Sequence, residues 1–198
     1  MKKALLALAT GLALMGTAQA DTNAALGAIV IPTGANFGMS PGWPDPMLAA
    51  FSTVTDGVLL DNGHVWNQGT VFWADPGDGS DALLIALQQP SAVNRILLQA
   101  DNNDMYKIQY HGADHMWHDL TVMSPANPPV NFGMGTVTMN LGAPIMADAF
   151  MITGVNGDGL YAVSEFQAIN APVPEPESWA MLGAGLGLLG LMARRRKL

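Results

Sequence analysis

The sequence predicts an all-β sandwich. Three observations carry that prediction. Apolar residues recur with period 2 over short runs, no helical period persists between the chain ends, and Gly, Pro, Asn and Asp break the chain every few residues. Alternating segments this short, at this spacing, suit two packed sheets better than any helical arrangement.

The elements follow in order. An apolar strand is expected over residues 24–31, stopped by Pro32. Strands over 71–74 and 82–87 flank the acidic turn DPGDGSD, Asp75 to Asp81. Over 93–100, Ile96, Leu98 and Ala100 share one face while Arg95 and Gln99 share the other. Over 104–110, Tyr106, Ile108 and Tyr110 point one way and Met105, Lys107 and Gln109 the other. The segment 136–141 turns Val137, Met139 and Leu141 inward, and Phe150 with Ile152 and the run 160–169 complete about eight strands. Trp66 and Trp117 are expected in the core, and Asn102-Asn103 in a turn.

The two ends have a different character. Met1-Lys2-Lys3, the apolar stretch from Ala4 to Met15 and Ala18-Gln19-Ala20 form the charged, apolar and A-x-A parts of a signal peptide, which places the mature start near Asp21. At the other end, Pro174-Glu175-Pro176 precedes an uncharged apolar run from Trp179 to Ala193, then Arg194, Arg195, Arg196 and Lys197. As a helix that run reaches about 22 Å at about 1.5 Å per residue, short of a bilayer core of about 30 Å. The arginines place the C-terminus in the cytoplasm. The chain therefore divides into a signal segment, 1–20; a domain, 21–170; and a linker with a short membrane helix, 171–198.

The order Val-Pro-Glu-Pro, short Gly/Leu-rich span, Arg cluster resembles the PEP-CTERM sorting signal of Gram-negative bacteria. That resemblance implies processing by an exosortase, a membrane-embedded transpeptidase-like enzyme, in cells that make extracellular polysaccharide. It implies an exported protein held on the periplasmic side of the inner membrane and then passed to the envelope or beyond. Pro174, Glu175, Pro176, Arg194, Arg195 and Arg196 would carry the signal.

Charge narrows the function of the middle. Six of the eight basic residues lie in the end segments, leaving Arg95 and Lys107 against 13 Asp and the single Glu165. Such a domain repels nucleic acid and anionic lipid and attracts divalent cations. Cysteine is absent, so the core must supply what disulfides do not, with bound metal as a further source of stability. The methionines lack paired spacing and read as core filler. GMSPG, Gly38 to Gly42, has the letters of a nucleophile elbow, but Pro41 has no N–H for an oxyanion hole and WPDP cannot start the helix that must follow.

Several pieces together resemble the discoidin-like, or galactose-binding-like, jelly roll. They are Thr55-Asp56-Gly57 followed by Trp66; Gly69 to Trp73 leading into residues 82–87; residues 96–100 with DNND-x-Y, Asp101 to Tyr106; Trp117 after a hairpin; and GDGLYAVSEFQA, Gly157 to Ala168, as the closing strand. The resemblance implies a structural calcium ion. Asp56 and Glu165 would supply carboxylate oxygens, and Thr53, Val58 and Ser164 main-chain carbonyls.

A saccharide site needs an aromatic face for C–H groups and amide, carboxylate or imidazole groups for hydroxyls. Trp43, His64, Trp73, Asn102 and Asn103 are the candidates, in loops or at strand ends. The leading expectation is a non-catalytic module associated with extracellular polysaccharide. One alternative is a polysaccharide-cleaving glycosidase or lyase, although no carboxylate pair or nucleophile–base set can be picked out. The other is a metal-binding periplasmic protein using His111, His115 and His118.

Overall fold

The computed structural model describes residues 21–75, 79–125, 132–171, 183–186 and 188. The strands are β1 (Ile29–Thr33), β2 (Met47–Leu48), β3 (Gln68–Ala74), β4 (Ala82–Asp101), β5 (Met105–Gly112), β6 (Trp117–Met123), β7 (Met134–Asn156) and β8 (Leu160–Asn170). Their hydrogen-bonded order is β2-β3-β8-β4-β7-β5-β6, with β1 also on β4. A 3-10 turn, Phe51–Thr55, leads into Asp56. All of this belongs to one unit, Thr22–Ala171.

Two long strands make one ladder into a sandwich. β4 and β7 pair along their whole length, but the register shifts between Ala86 and Ser91 and again between Val93 and Arg95. At those shifts the ladder bends. The first half of β4 pairs β1, the second half pairs β8, and the later half of β7 carries β5 and β6. One sheet is therefore β3, β8 and the later half of β4 with the earlier half of β7. The other is β1, β6, β5 and the remaining halves. The sequence segments 82–87 and 93–100, and 136–141 and Phe150 with Ile152, are the halves of β4 and β7, which run on through Gln88-Gln89-Pro90 and Gly142-Ala143-Pro144. In the structure they are the bends that carry one strand from sheet to sheet.

The main core fills the space between the sheets with fully buried Trp73, Tyr106, Phe150, Phe166, Leu83, Ile85, Ile96, Leu98, Ile108 and Ile152. A smaller core of Trp66, Phe72, Met134 and Ala162 lies where residues 57–67 cross the outer side of β3 and β8. Both faces of β3 are thus covered. The alternation of Tyr106 and Ile108 inward and Lys107 outward holds as the sequence predicts.

Three expectations need correction. Pro32 does not stop a strand over 24–31; it lies inside β1, an edge strand where its missing N–H costs no ladder bond, while residues 24–27 turn. Trp117 is not in the core but 39% exposed, because at His111↔Trp117 the β5–β6 pair points away from the sheet interface. Trp73, a saccharide candidate, is fully buried among Phe37, Tyr106 and Tyr161 and meets no ligand.

The signal peptide, 1–20, and the sorting residues Pro174, Glu175, Pro176, Arg194, Arg195 and Arg196 lie outside the described residues. Residues 183–186 and 188 are helical. Among the described residues no helix is long and apolar enough to cross a membrane.

Candidate functional site

The connection between the sheets defines two ends of the sandwich. Asp101 to Met105 passes from β4 to β5 at one end, beside the β7–β8 turn at Gly157 to Gly159. The bends of β4 and β7, and the β5–β6 hairpin at Gly112, lie at the other.

At the first end, the loop over 57–67 meets β7. Gly63 N–H donates to the Met134 carbonyl at 2.8 Å, and Met134 N–H donates to the His64 carbonyl at 2.9 Å. Gly133, at φ +82°, closes this approach, since a Cβ there would strike the Gly63 and His64 backbone. Asn102 N–H donates to the Gly133 carbonyl at 2.9 Å, and its side-chain amide donates to the Phe132 carbonyl at 3.4 Å. His64 and Asn102 are thus joined through one short segment. Phe132, at its edge, is 66% exposed. Asn103 is anchored by a 3.0 Å bond from its amide to Asp158 Oδ2.

Sequence reasoning names His64, Asn102 and Asn103 but misses Phe132. Its only signal is an aromatic in the Pro-rich loop before β7. Trp43 is elsewhere, 46% exposed, edge-on to Trp66 and lining a shallow apolar dish with Met39, Pro41 and Pro46.

Beneath this surface the structure gathers acids that sequence spacing does not single out. Asp101 and Asp104 are buried, and Asp158 faces them from the β7–β8 turn. Burial pushes Asp101 up to about 7 against the pull of the Asn102 N–H, with the Asp158 charge adding to the rise. Burial, then the charges of Asp101 and Asp158, push Asp104 up to about 8. Asp104 Oδ1 accepts from Asp158 N–H at 3.2 Å. Raised carboxyl groups are what a glycosidase acid needs, but Asp104 is fully buried and Asp101 almost so, and neither reaches a substrate.

A second acidic pair joins the 3-10 turn to β8. Glu165 is fully buried. Its Oε2 accepts from Gly57 N–H at 3.3 Å and its Oε1 from the Gln167 amide at 3.2 Å. Burial pushes its carboxyl up to about 7, and the nearby Asp56 charge adds to that rise. Asp56 Oδ1 accepts from Val58 N–H at 2.8 Å, and Thr53 leads directly into this turn. Ser164, beside Glu165, spends its hydroxyl on Gln99 Oε1 at 2.8 Å. A buried carboxylate held only by two long bonds, opposite a second carboxylate, fits a hard cation. Among the described residues no three His, Cys, Asp or Glu side chains converge as a metal set. A cation here would therefore take two carboxylates, with main-chain oxygens supplying the remainder.

The histidine hairpin is parted by strand alternation. His111 Nδ1 lies 2.7 Å from Asp148 Oδ1 on one face, beside Trp117. His118 lies on the other, its Nε2 2.9 and 3.0 Å from the Asp114 oxygens and its ring stacked on Tyr110. The three imidazoles do not close on one metal. In the acidic turn, Asp78 lies outside the described residues, while buried Asp81 accepts from Asn36 N–H and the Asn36 amide, at 3.1 and 2.6 Å.

No curated protein matches the chain in sequence. Among solved structures, the lectin domain of lectinolysin complexed with Lewis B antigen is similar with a TM-score of 0.51 at 9% identity, over 76% of this chain and 98% of that one. The family 32 carbohydrate-binding module from Streptococcus pneumoniae EndoD is similar at 0.49 and 15%, over 76% and 100%. A fucose binding module of Streptococcus pneumoniae is similar at 0.49 and 12%, over 76% and 99%. The fold is a discoidin-like jelly-roll β-sandwich. Residues 172–197 match the PEP-CTERM protein-sorting motif, and the chain is therefore a discoidin-like sandwich that carries a PEP-CTERM sorting signal.

Proposed function

We propose that this is an exported, non-catalytic saccharide-binding module, sorted by an exosortase to the cell envelope or extracellular matrix. The observation that carries the reading is exposed Phe132 at the end of the sandwich that also bears exposed Asn103 and half-buried His64, with buried Asn102 holding the segment through the Phe132 carbonyl. That end offers an apolar ring face with amide and imidazole groups, the combination that orients a sugar. The lectin domain of the same fold, solved with Lewis B antigen, supports the saccharide class. The sorting motif supports export and a processing enzyme as partner. Calcium at Asp56 and Glu165 is the cofactor proposed, as a brace between loop and strand rather than a ligand to sugar. The carboxyl groups that could act as acids at this end, Asp101 and Asp104, are buried, which favours binding over cleavage.

The test is a glycan array probed with the full-length chain in detergent micelles, wild type against Phe132→Ala. Retention on a subset of glycans without cleavage, lowered about tenfold in the variant, is expected. Equal retention by both proteins would remove this surface as the site, and release of shortened glycan would replace the binder with an enzyme.

A further inference from the structure

At the end of the sandwich opposite His64, the β5–β6 hairpin and the bend of β7 line an open groove of about 360 Å³. One wall is aromatic: the Tyr110 and His118 rings stack 5.1 Å apart at 26°. Ile145 and Met146 add aliphatic side chains. Asp114 stands at the rim with both oxygens on His118 Nε2, at 3.0 and 2.9 Å. Gly112 permits this closure, because a Cβ there would lie 2.8 Å from Asp114 Oδ1 and 3.2 Å from His118 Cδ2.

The chemistry of the groove is one-sided. A carboxylate accepts only, so His118 Nε2 carries the proton that it donates to Asp114. The His118 bond is the main reason that the Asp114 carboxyl is held below the usual carboxylate range, so at neutral pH it is an anion with further acceptor capacity. The groove therefore presents one charged acceptor, Asp114, beside a ring wall and aliphatic side chains. The domain around it is strongly acidic. A uronate or sulfated sugar is repelled; a ring bearing a positive charge is matched.

We propose that this groove is a second saccharide subsite, taking an amino-sugar unit whose ammonium group meets Asp114. The saccharide class rests on the function proposed above; the location and the charge preference rest on the groove alone. The length of β5 sets the two sites about 25 Å apart, at about 3.3 Å per residue, so a single sugar cannot occupy both.

The experiment is calorimetry on the full-length chain in detergent micelles, with a fully deacetylated glucosamine oligosaccharide, its N-acetylated counterpart and polygalacturonate. Wild type is expected to prefer the glucosamine oligomer and to ignore polygalacturonate. Asp114→Asn should weaken the glucosamine oligomer about tenfold, as loss of one charged hydrogen bond does. Ala113→Trp, which fills the groove from its exposed rim, should do the same. Asp45→Asn removes an equal charge elsewhere at a position, φ 51°, that asparagine accepts, and should bind as wild type. If Asp45→Asn weakens binding as much as Asp114→Asn, the attraction is diffuse and the subsite is wrong. If Phe132→Ala abolishes glucosamine binding while Asp114→Asn and Ala113→Trp do not, the only site is at the other end and this one fails. If Phe132→Ala changes no glycan while Asp114→Asn and Ala113→Trp still weaken the oligomer, the first site fails and the groove stands.

Discussion

Glu165 and Asp104 are both fully buried carboxyl groups, both pushed far above the ordinary range chiefly by burial, and both near a second acid. They differ in what else surrounds them. Around Asp104 the backbone closes in: Asp158 N–H donates to Oδ1, Tyr106 Oη stands 3.5 Å from Oδ2, and Gly157 packs where a side chain would collide. That carboxyl is a staple between two turns, and a proton satisfies it. Glu165 instead sits between a loop and a strand, held by two bonds of 3.2 and 3.3 Å, with Asp56 beside it. There the unfilled need is positive charge. Burial alone therefore does not tell a metal ligand from a protonated structural acid; the packing of donors around each oxygen does.

The largest effect should come from closing the staple sterically. Gly157 is at φ +136°, and a Cβ there would overlap Asp104 Oδ1. Gly157→Ala combines a collision with a backbone conformation that alanine resists, and should cost about 4 kcal/mol. For a domain of this size that lowers Tm by about 10 °C, read by thermal circular dichroism. A shift of a degree or two would mean that the two turns are not locked together.

Next in size is calcium. With free calcium at about 100 times Kd, linkage stabilises the fold by about 2.7 kcal/mol, so Tm should rise by several degrees over chelator at fixed ionic strength. Glu165→Gln should remove most of that rise, whereas Asp104→Asn should leave it. A rise that follows Asp104 instead of Glu165 would reverse the assignment of the two carboxyl groups.

What the sequence made legible tracks this same distinction. Glu165 stands out as the one Glu of the domain, in an otherwise apolar strand, and the period-2 faces of β5 and β8 are readable from residue types alone. Asp104 is not readable, because DNND has the composition of a solvated turn and becomes buried only when the β7–β8 turn folds over it. Trp73 and Trp117 exchange their expected environments for a related reason. Alternation tells which residues share a face but not that residues 57–67 cover the outside of β3, nor that β6 closes a sheet whose outer face stays open at Trp117. Phe132 was hidden by its loop. Long-range coverage, absent from local pattern, decided each case.

The third prediction concerns pH, with chelator present. Asp101, Asp104 and, without calcium, Glu165, at about 7, 8 and 7 when folded, bind protons more tightly than in the unfolded chain. Their contribution is complete below the unfolded carboxyl range, near 4, and is lost as pH rises toward 8, at no more than about 1.4 kcal/mol per pH unit for each group. Wild-type Tm should therefore fall from about pH 5 to pH 8 and level off above. Asp104→Asn keeps the acceptor for Asp158 N–H and cannot ionise, so its curve should be flatter and cross above wild type on the alkaline side. Parallel curves would mean that Asp104 is charged at neutrality.

The smallest effect is expected from an exposed acid, and it sharpens the comparison by its sign. Asp119 accepts from Lys107 Nζ at 2.8 Å and from the Gln109 amide at 2.7 Å. Chiefly the Lys107 bond, then the Gln109 bond, hold its carboxyl below the usual range. A lowered group contributes above the unfolded carboxyl range and loses its contribution only as the medium becomes more acidic than that. Exposed pairs of this kind contribute little because water and salt screen them. Melting curves of Asp119→Asn should thus run parallel to wild type and slightly below it from pH 5 to 9, and converge with it only below about pH 4. The buried acids lose their hold as pH rises, and this one as it falls. If Asp119→Asn instead altered the alkaline slope, that slope would belong to the net negative charge of the whole domain, and burial of Asp101 and Asp104 would not be its cause.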